Sequence, residues 1–555
     1  NMKDYYLYKF IKRYFIKTFI GAVSGFGIIS CDSLSKMAEL ADQITFKCNP
    51  EVLEVVAGAI EADITVNFPA EFFHPKAIME VTPVLVYQGG EVAYHPFIYQ
   101  GEKITDNYRL VSEDGAQIRE KVAFKYVPGM EKSHLELRGK VLYKDKVYNV
   151  AEAFKIADGA NTTYMLVNTD GVAKFAKDNY QEVITENEEA QIHFLVNSAQ
   201  VRNSELKSQD LKDYKETLAA LEGDARRTIV GTDVVSYASP EGSEKFNNKL
   251  SDKRGQNASK ALSKFMKGVD AGEISVKSIG EDWEGFQDMV AKSDLEDKDL
   301  IIRVLSMYSD PNVREREIRN MSNVYKTLAD DVLPQLRRSR FITSVEYTNY
   351  TPEELAKIVE ENIDILDEEA ILRAAALTKD NNDKLDLYAE AIKKFNSDRA
   401  KYNSAVVYLE EGKVEKAADV LAKVENQDAD YNNVKGIVAM RQGNLEEAAK
   451  YLKAANTPEA KANLAAIDIL NGDYYEAATK LAGTGDENEA LAYILTDQLG
   501  KASDALKCKC PHASYLKAIV AARKGDVDRA NAELENAGAE YAKRAETDIE
   551  FAKVK

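Results

Sequence analysis

Ser236-Tyr237-Ala238-Ser239-Pro240-Glu241-Gly242, followed by Asn247 and by Leu250-Ser251-Asp252-Lys253-Arg254, is the stretch of this chain best suited to hold a small charged ligand. A strand running into a tight turn, then a helix carrying one arginine in its early turns, makes an anion-reading corner. The Arg254 guanidinium has the planar fork that grips a carboxylate through two hydrogen bonds. Ser239 adds a hydroxyl and Glu241 a carboxylate. Asn247 and Leu250-Ser251 suit turn bonding and the helix start, and Gly242 suits the turn's backbone angles. Without a ligand, Arg254 would pair with Glu241 or Asp252 at the surface, an ion pair worth little.

Other chemistry is sparse. The five histidines, His74, His95, His134, His193 and His512, lie in no HExxH pattern. No glycine-rich phosphate loop opens a helix after a strand, and no nucleophile elbow is present. The carboxylates are spread along repetitive helices, which reads as solvated faces. Cys508-Lys509-Cys510-Pro511-His512 could bind a metal or close a short strained disulfide. Two further ligands at suitable spacing are missing, so this stretch reads as a loop between helices. Neither a metal, a cofactor nor catalysis is expected.

The elements around the corner can be read from pattern. The chain has 555 residues, 45% of them hydrophobic and 30% charged, enough for several domains. A net charge of −19 argues against a nucleic-acid partner. Lys3, Lys9, Lys12, Arg13 and Lys17 precede an apolar run, Phe19 to Ile29, of signal-peptide length. From Gln43 to about residue 170, short alternating runs with turn signals predict an antiparallel β-sandwich. Lys144-Asp145 is a two-residue hairpin turn, and Pro83 and Pro96 belong on edges or bulges. Residues 190–350 alternate strand and helix, β-α-β-α-β, with a helical extension from Glu281 to Ser339. Trp283 reads as a packing anchor.

From 352 to 555 the chain is helical, and five segments share one template. They begin at Gly412, Gly443, Gly472, Gly500 and Gly525, at spacings of 31, 29, 28 and 25 residues. Each glycine is expected to cap a first helix in a left-handed turn, and the alanine five residues later to let the second helix approach.

Three resemblances follow. Ile28-Ile29-Ser30-Cys31 resembles a bacterial lipoprotein lipobox, implying lipid on Cys31, a signal peptide over 1–30 and a tether over 31–42. The corner resembles the OmpA-like peptidoglycan-associating domain, whose signature is a strand ending in an aromatic residue, a turn acid, a glycine, an asparagine and Leu-Ser-x-x-Arg. Its extension is similar to the variant in Bacteroidetes envelope proteins. That resemblance implies a site where an aspartate and Arg254 hold meso-diaminopimelate of a peptidoglycan stem peptide. Ser239 stands in the aspartate's place without its charge, and Glu241 restores that charge if the turn points it inward. The C-terminal repeats resemble tetratricopeptide repeats, here shorter than usual. Together these imply a non-catalytic outer-membrane lipoprotein facing the periplasm. It would link the membrane to peptidoglycan and recruit a protein partner on its repeats. The competing expectation is a pure interaction scaffold in surface assembly or secretion. A Glu241 facing Arg254 across an open cleft would favour the first.

Overall fold

The computed structural model describes residues 32–554 apart from 151, 152 and 296. Cys31 and the signal-peptide run lie outside the described residues. Two compact units are present, one of residues up to Ala176 together with Ile392–Lys555, the other Lys177–Ala391.

The first unit begins with α1 (Asp32–Glu39), where a tether was expected. Leu34, Met37 and Ala41 of this region are buried in the core beneath the adjoining strands, and that burial holds the segment as a docked helix. Eleven strands follow: β1 (Thr45–Asn49), β2 (Val52–Val56), β3 (Ala59–Phe68), β4 (Ile78–Tyr87), β5 (Gly90–Ala93), β6 (Phe97–Gly101), β7 (Arg109–Val111), β8 (Ala116–Lys125), β9 (Ser133–Tyr143), β10 (Lys146–Asn149) and β11 (Phe154–Asn161). One layer is built on β3, flanked by β8, β1 and β2; the other runs β11-β9-β4-β6-β7, and β2 joins β11. Pairing is antiparallel except β2–β11 and β6–β7. Period-two burial along β3 and β8 turns Ile60, Ile64, Val66, Val122 and Phe124 inward against Leu85, Leu135 and Val141. The hairpin turn at Lys144-Asp145 forms as read, both residues at positive φ between Tyr143 and Lys146. Pro83 lies inside β4 rather than at its end, where the neighbour changes from β6 to β5, and its carbonyl accepts from Tyr94 N.

The second unit carries a four-stranded sheet, β12 (Val183–His193), β13 (Arg227–Ala238), β14 (Glu273–Glu281) and β15 (Arg338–Thr348), in the order β12-β15-β13-β14. Between the strands run α2 (Gln209–Leu221) and α3 (Glu244–Phe265). The β-α-β-α-β order is as read, but the first strand, expected over 192–196, runs Val183–His193 and ends where the reading had it begin, and the second is longer. β15 was not expected. It enters the middle of the sheet, antiparallel to both neighbours, with Ser339, Phe341, Thr343 and Val345 on its buried face. The extension comprises α4 (Trp283–Lys292), α5 (Lys298–Met307), α6 (Pro311–Asn320), α7 (Ser322–Thr327) and α8 (Leu333–Leu336), around a core of its own that includes Phe286, Ile301 and Leu328. Trp283 stacks edge-on against Phe286 and donates to Glu281 at 2.9 Å, an anchor as expected. Helices α9 (Pro352–Asn362) and α10 (Glu368–Leu377) complete this unit, and α11 (Asn381–Phe395) crosses its boundary.

The remaining helices return to the first unit as five pairs: α12 (Asp398–Glu410) with α13 (Val414–Leu421), α14 (Ala429–Arg441) with α15 (Leu445–Ala455), α16 (Pro458–Asn471) with α17 (Tyr474–Leu481), α18 (Glu487–Leu495) with α19 (Leu499–Ala505), and α20 (Pro511–Lys524) with α21 (Val527–Ala545). Gly412, Gly443, Gly472 and Gly525 take the expected left-handed turn, and Ala417, Ala448, Ala477 and Ala530 are fully buried. The fourth repeat departs from the template. Gly500 sits inside α19, and Asp497 holds the positive φ, with Ala502 five residues on as the buried alanine. The register is three residues earlier than the glycine suggested.

Sandwich and repeats are one body rather than the separate domains the sequence suggested. Their apolar side chains form a single cluster, and a side chain at Gly472 would meet Val56 Cγ1 at 2.4 Å. Glu550 accepts from Asn161 Nδ2 at 2.8 Å and Thr163 Oγ1 at 2.7 Å on the strand side, and from Arg523 Nε at 2.9 Å. A buried carboxylate so bonded is worth keeping, because each partner lost would leave a desolvated charge.

Candidate functional site

The first helices of the repeats, α12, α14, α16, α18 and α20, pack side by side in one row. They are buried nearly all round, unlike the one-sided second helices. What covers their open face is the chain itself. After β11 the backbone runs without regular structure from Val167 to Ala176, along the row and against the order of the repeats.

A series of asparagines holds it. Asn488 Oδ1 accepts from Asn168 N, and its Nδ2 donates to Asn168 O, both at 2.8 Å. Asn463 makes the same pair with Val172, at 2.7 and 2.9 Å. Asn403 makes it with Ala176, at 2.7 and 3.0 Å. Asn433 donates to Val172 O at 2.9 Å and accepts from Asn463 Nδ2 at 2.8 Å. The clamped residues recur at every fourth position. Both ends of the Asn403, Asn463 and Asn488 carboxamides are used, which fixes their orientation. All four asparagines are at most 5% exposed, so these bonds form where an unmade one is costly.

The row reads main chain, with two side-chain restrictions. Gly171 has φ +83°, and a Cβ there would come within 2.6 Å of Ile437. Phe175 and Ala173 pack against the cluster of Tyr402, Tyr431 and Ile437. Val172 is 41% exposed and free of such demands. Tyr402 donates to Lys174 O at 2.8 Å, and His512 Nε2 meets Leu166 O at 2.9 Å at the far end.

None of these asparagines stood out in the sequence. The signal was present: each lies nine or ten residues before the left-handed turn residue of its repeat. In the fourth repeat that spacing appears only once Asp497 replaces Gly500 as the turn.

The corner built on α3 is differently arranged from the expected site. Arg254 is 1% exposed. Its Nε donates to Ser198 O at 2.9 Å, Nη1 to Tyr237 O at 3.0 Å and Nη2 to Leu195 O at 3.2 Å, with the guanidinium over the Phe194 ring. Burial, with Arg337 nearby, pulls it down to about 10, so it remains a cation at neutral pH. Glu241 does not face it across a cleft. Glu241 is held by Arg337 at 3.0 Å and accepts from Ser239 Oγ at 2.6 Å. Asn247 donates to Glu241 O and to Glu281 Oε1, a turn-bonding role, and Gly242 has φ +99°. The structure thus brings Ser239, Glu241 and Asn247 together but directs Arg254 to backbone carbonyls of the 195–198 stretch. The open cleft nearby, about 1030 Å³, lies between Asn197–Leu206 and α3 and is lined by Lys249, Lys253, Lys260 and Lys264; Arg254 is not on its wall.

At the C-terminal end of the row, Cys508 and Cys510 are not alone. Glu487, first residue of α18, comes to them: its Oε1 accepts from Cys510 Sγ at 2.6 Å, and His512 Nδ1 meets its Oε2 at 2.6 Å. Burial and the Glu487 carboxylate push the Cys510 thiol up to about 11. No local pattern could have shown this, since Glu487 is supplied by the preceding repeat.

No family model and no curated protein matches this chain. Among solved structures, a tetratricopeptide repeat protein from Parabacteroides merdae is similar at 16% identity and a TM-score of 0.29, over 36% of this chain and 91% of that one. YrrB, described as a TPR protein with an unusual peptide-binding site, is similar at 19% identity and a TM-score of 0.22, over 37% and 100%. Yeast Tom70 is similar at 13% identity and a TM-score of 0.24, over 63% and 79%.

Proposed function

We propose that this chain is a non-catalytic interaction scaffold of the cell envelope, tethered at the outer membrane by lipid on Cys31 and facing the periplasm. Its repeats bind extended chains through their main chain, a partner taking the place of the 167–176 segment that fills the row. The asparagine row carries this reading, because it is a built receptor for a peptide backbone, satisfied at every fourth residue. The intramolecular occupant defines the partner class: an extended segment with glycine where Gly171 stands and an apolar ring where Phe175 packs.

The order of elements in the second unit, together with Gly242, Asn247 and Leu-Ser-x-x-Arg, supports reading it as OmpA-like. The filled corner supports retention of that fold without wall binding. To hold a diaminopimelate carboxylate, Arg254 would have to give up three carbonyl acceptors, and Glu241 would have to leave Arg337. Sedimentation of the full chain with purified peptidoglycan sacculi separates the two readings. The scaffold reading expects the protein to stay in the supernatant. Saturable co-sedimentation, competed by free diaminopimelate, would restore the wall-binding reading.

A further inference from the structure

Around the loop before α20 three groups of metal-ligand type lie close together, with His512 in the first turn of α20 beside them. The donor atoms of Glu487, Cys508 and Cys510 all lie within 4.8 Å of one another. His512 Nδ1 stands outside that trio but touches Glu487 at 2.6 Å, and it has to close on the two sulfurs when a metal binds. The backbone is already shaped for this. Cys510 N donates to Cys508 Sγ at 3.1 Å, Ala513 N to Cys510 Sγ at 3.3 Å, and Lys517 Nζ pins the loop through Cys508 O at 2.6 Å. The first bond folds the Cys-x-Cys spacing, shorter than the usual two to four intervening residues, so that both sulfurs reach one side.

His512 has the second feature of a ligating imidazole. Its other nitrogen, Nε2, is fixed on a backbone carbonyl, that of Leu166, at 2.9 Å. Such an outer bond sets the ring's orientation and leaves Nδ1 as the ligating atom. Two sulfurs, one imidazole nitrogen and one carboxylate oxygen form a donor set suited to Zn²⁺, whereas Mg²⁺ and Ca²⁺ prefer all-oxygen sites.

We propose that Cys508, Cys510, His512 Nδ1 and Glu487 bind one Zn²⁺-class ion at the C-terminal end of the asparagine row. On binding, the Cys508 and Cys510 thiols and His512 Nδ1 give up their protons to solvent, and four bonds to the metal form. Glu487 exchanges its contacts with Cys510 and His512 for one of those bonds, while Nε2–H stays on Leu166 O. No electron is transferred. Because Leu166 leads into the clamped segment, the ion also fixes the end of that segment.

The test is titration of the reduced full chain with Co²⁺, read by the visible absorption of tetrahedral thiolate-bound cobalt. One equivalent should bind, and Zn²⁺ should displace it. Cys508→Ser and Cys510→Ser should each weaken uptake by at least about tenfold, the loss that even an outer-shell partner can cause. Replacing Cys31 and Cys48 should leave uptake unchanged. Saturating Zn²⁺ should raise the thermal midpoint of the wild type but not of Cys510→Ser, since a ligand that binds only the folded chain stabilises it. Circular dichroism of the metal-free variants controls for folding. An octahedral spectrum, uptake insensitive to Cys510→Ser, or no uptake by the reduced protein would overturn the proposal.

Discussion

Arg254→Met should destabilise the second unit by about 3–5 kcal/mol, among the largest effects a single substitution produces. Methionine nearly fills the volume, so the loss comes from polarity rather than from a cavity. Leu195 O, Ser198 O and Tyr237 O would each lose a charged donor; Leu195 O keeps its bond from Ser198 N, and each acceptor left unpaired costs about 1–3 kcal/mol. Lysine should not rescue, because one ammonium cannot match the guanidinium's planar fork toward three carbonyls. Trp283, the sole tryptophan, lies in this unit and reports its denaturant unfolding directly. A midpoint within experimental error of wild type would mean that Arg254 is a surface residue, free for a ligand after all.

The double substitution Asn433→Ala/Asn463→Ala should release the segment from the row. Alanine is the better helix former by a few tenths of a kcal/mol at each position, so α14 and α16 should persist. What is lost is every side-chain bond to Val172 N and O, along with the Asn433–Asn463 link. At about 1–3 kcal/mol for unsatisfied groups, local opening should become about a hundredfold more frequent. Trypsin cleavage after Lys174 and Lys177 should accelerate accordingly, with the rest of the first unit resistant. Unchanged cleavage would show that the asparagines do not hold the segment.

The parts of this fold written in local pattern could be read directly. The Lys144-Asp145 hairpin, the strand leading to Tyr237 and the glycine-capped helix pairs each depend on residues close in sequence. What escaped depends on distant partners. β15 alternates buried Ser339, Phe341, Thr343 and Val345 with Arg338, Arg340 and Glu346, and its charged residues disguised a central strand. Those charges are answered from other elements, Arg338 by Asp282 and Arg340 by Glu189. Residues 32–42 looked like a polar tether because the surface that buries Leu34 and Met37 is supplied by the sandwich. The asparagines looked like ordinary polar helix positions. Only the return of residues 167–176 across the row makes them buried and bonded.

The same separation explains the corner. Ser239, Glu241, Gly242 and Asn247 behave as local turn chemistry dictates, with Asn247 bonding back to Glu241 O. The fate of Arg254 was set by a stretch more than fifty residues upstream, and that of Glu241 by Arg337, nearly a hundred residues downstream. Sequence proximity suggested that the acid and the base would meet. The tertiary fold gives each a different partner.

The most direct test of a row that reads extended chains is to empty it and refill it from outside. Gly171→Val should evict the intramolecular segment, because its side chain would occupy the space of Ile437 on a backbone with positive φ. A synthetic peptide of residues 166–178 should then bind the Gly171→Val chain saturably in a fluorescence-anisotropy titration. It should bind the wild type far more weakly, since the row is already filled. Adding Asn433→Ala/Asn463→Ala to the variant should abolish that binding. Failure of the peptide to bind the Gly171→Val chain, or binding unaffected by loss of the two asparagines, would contradict the account.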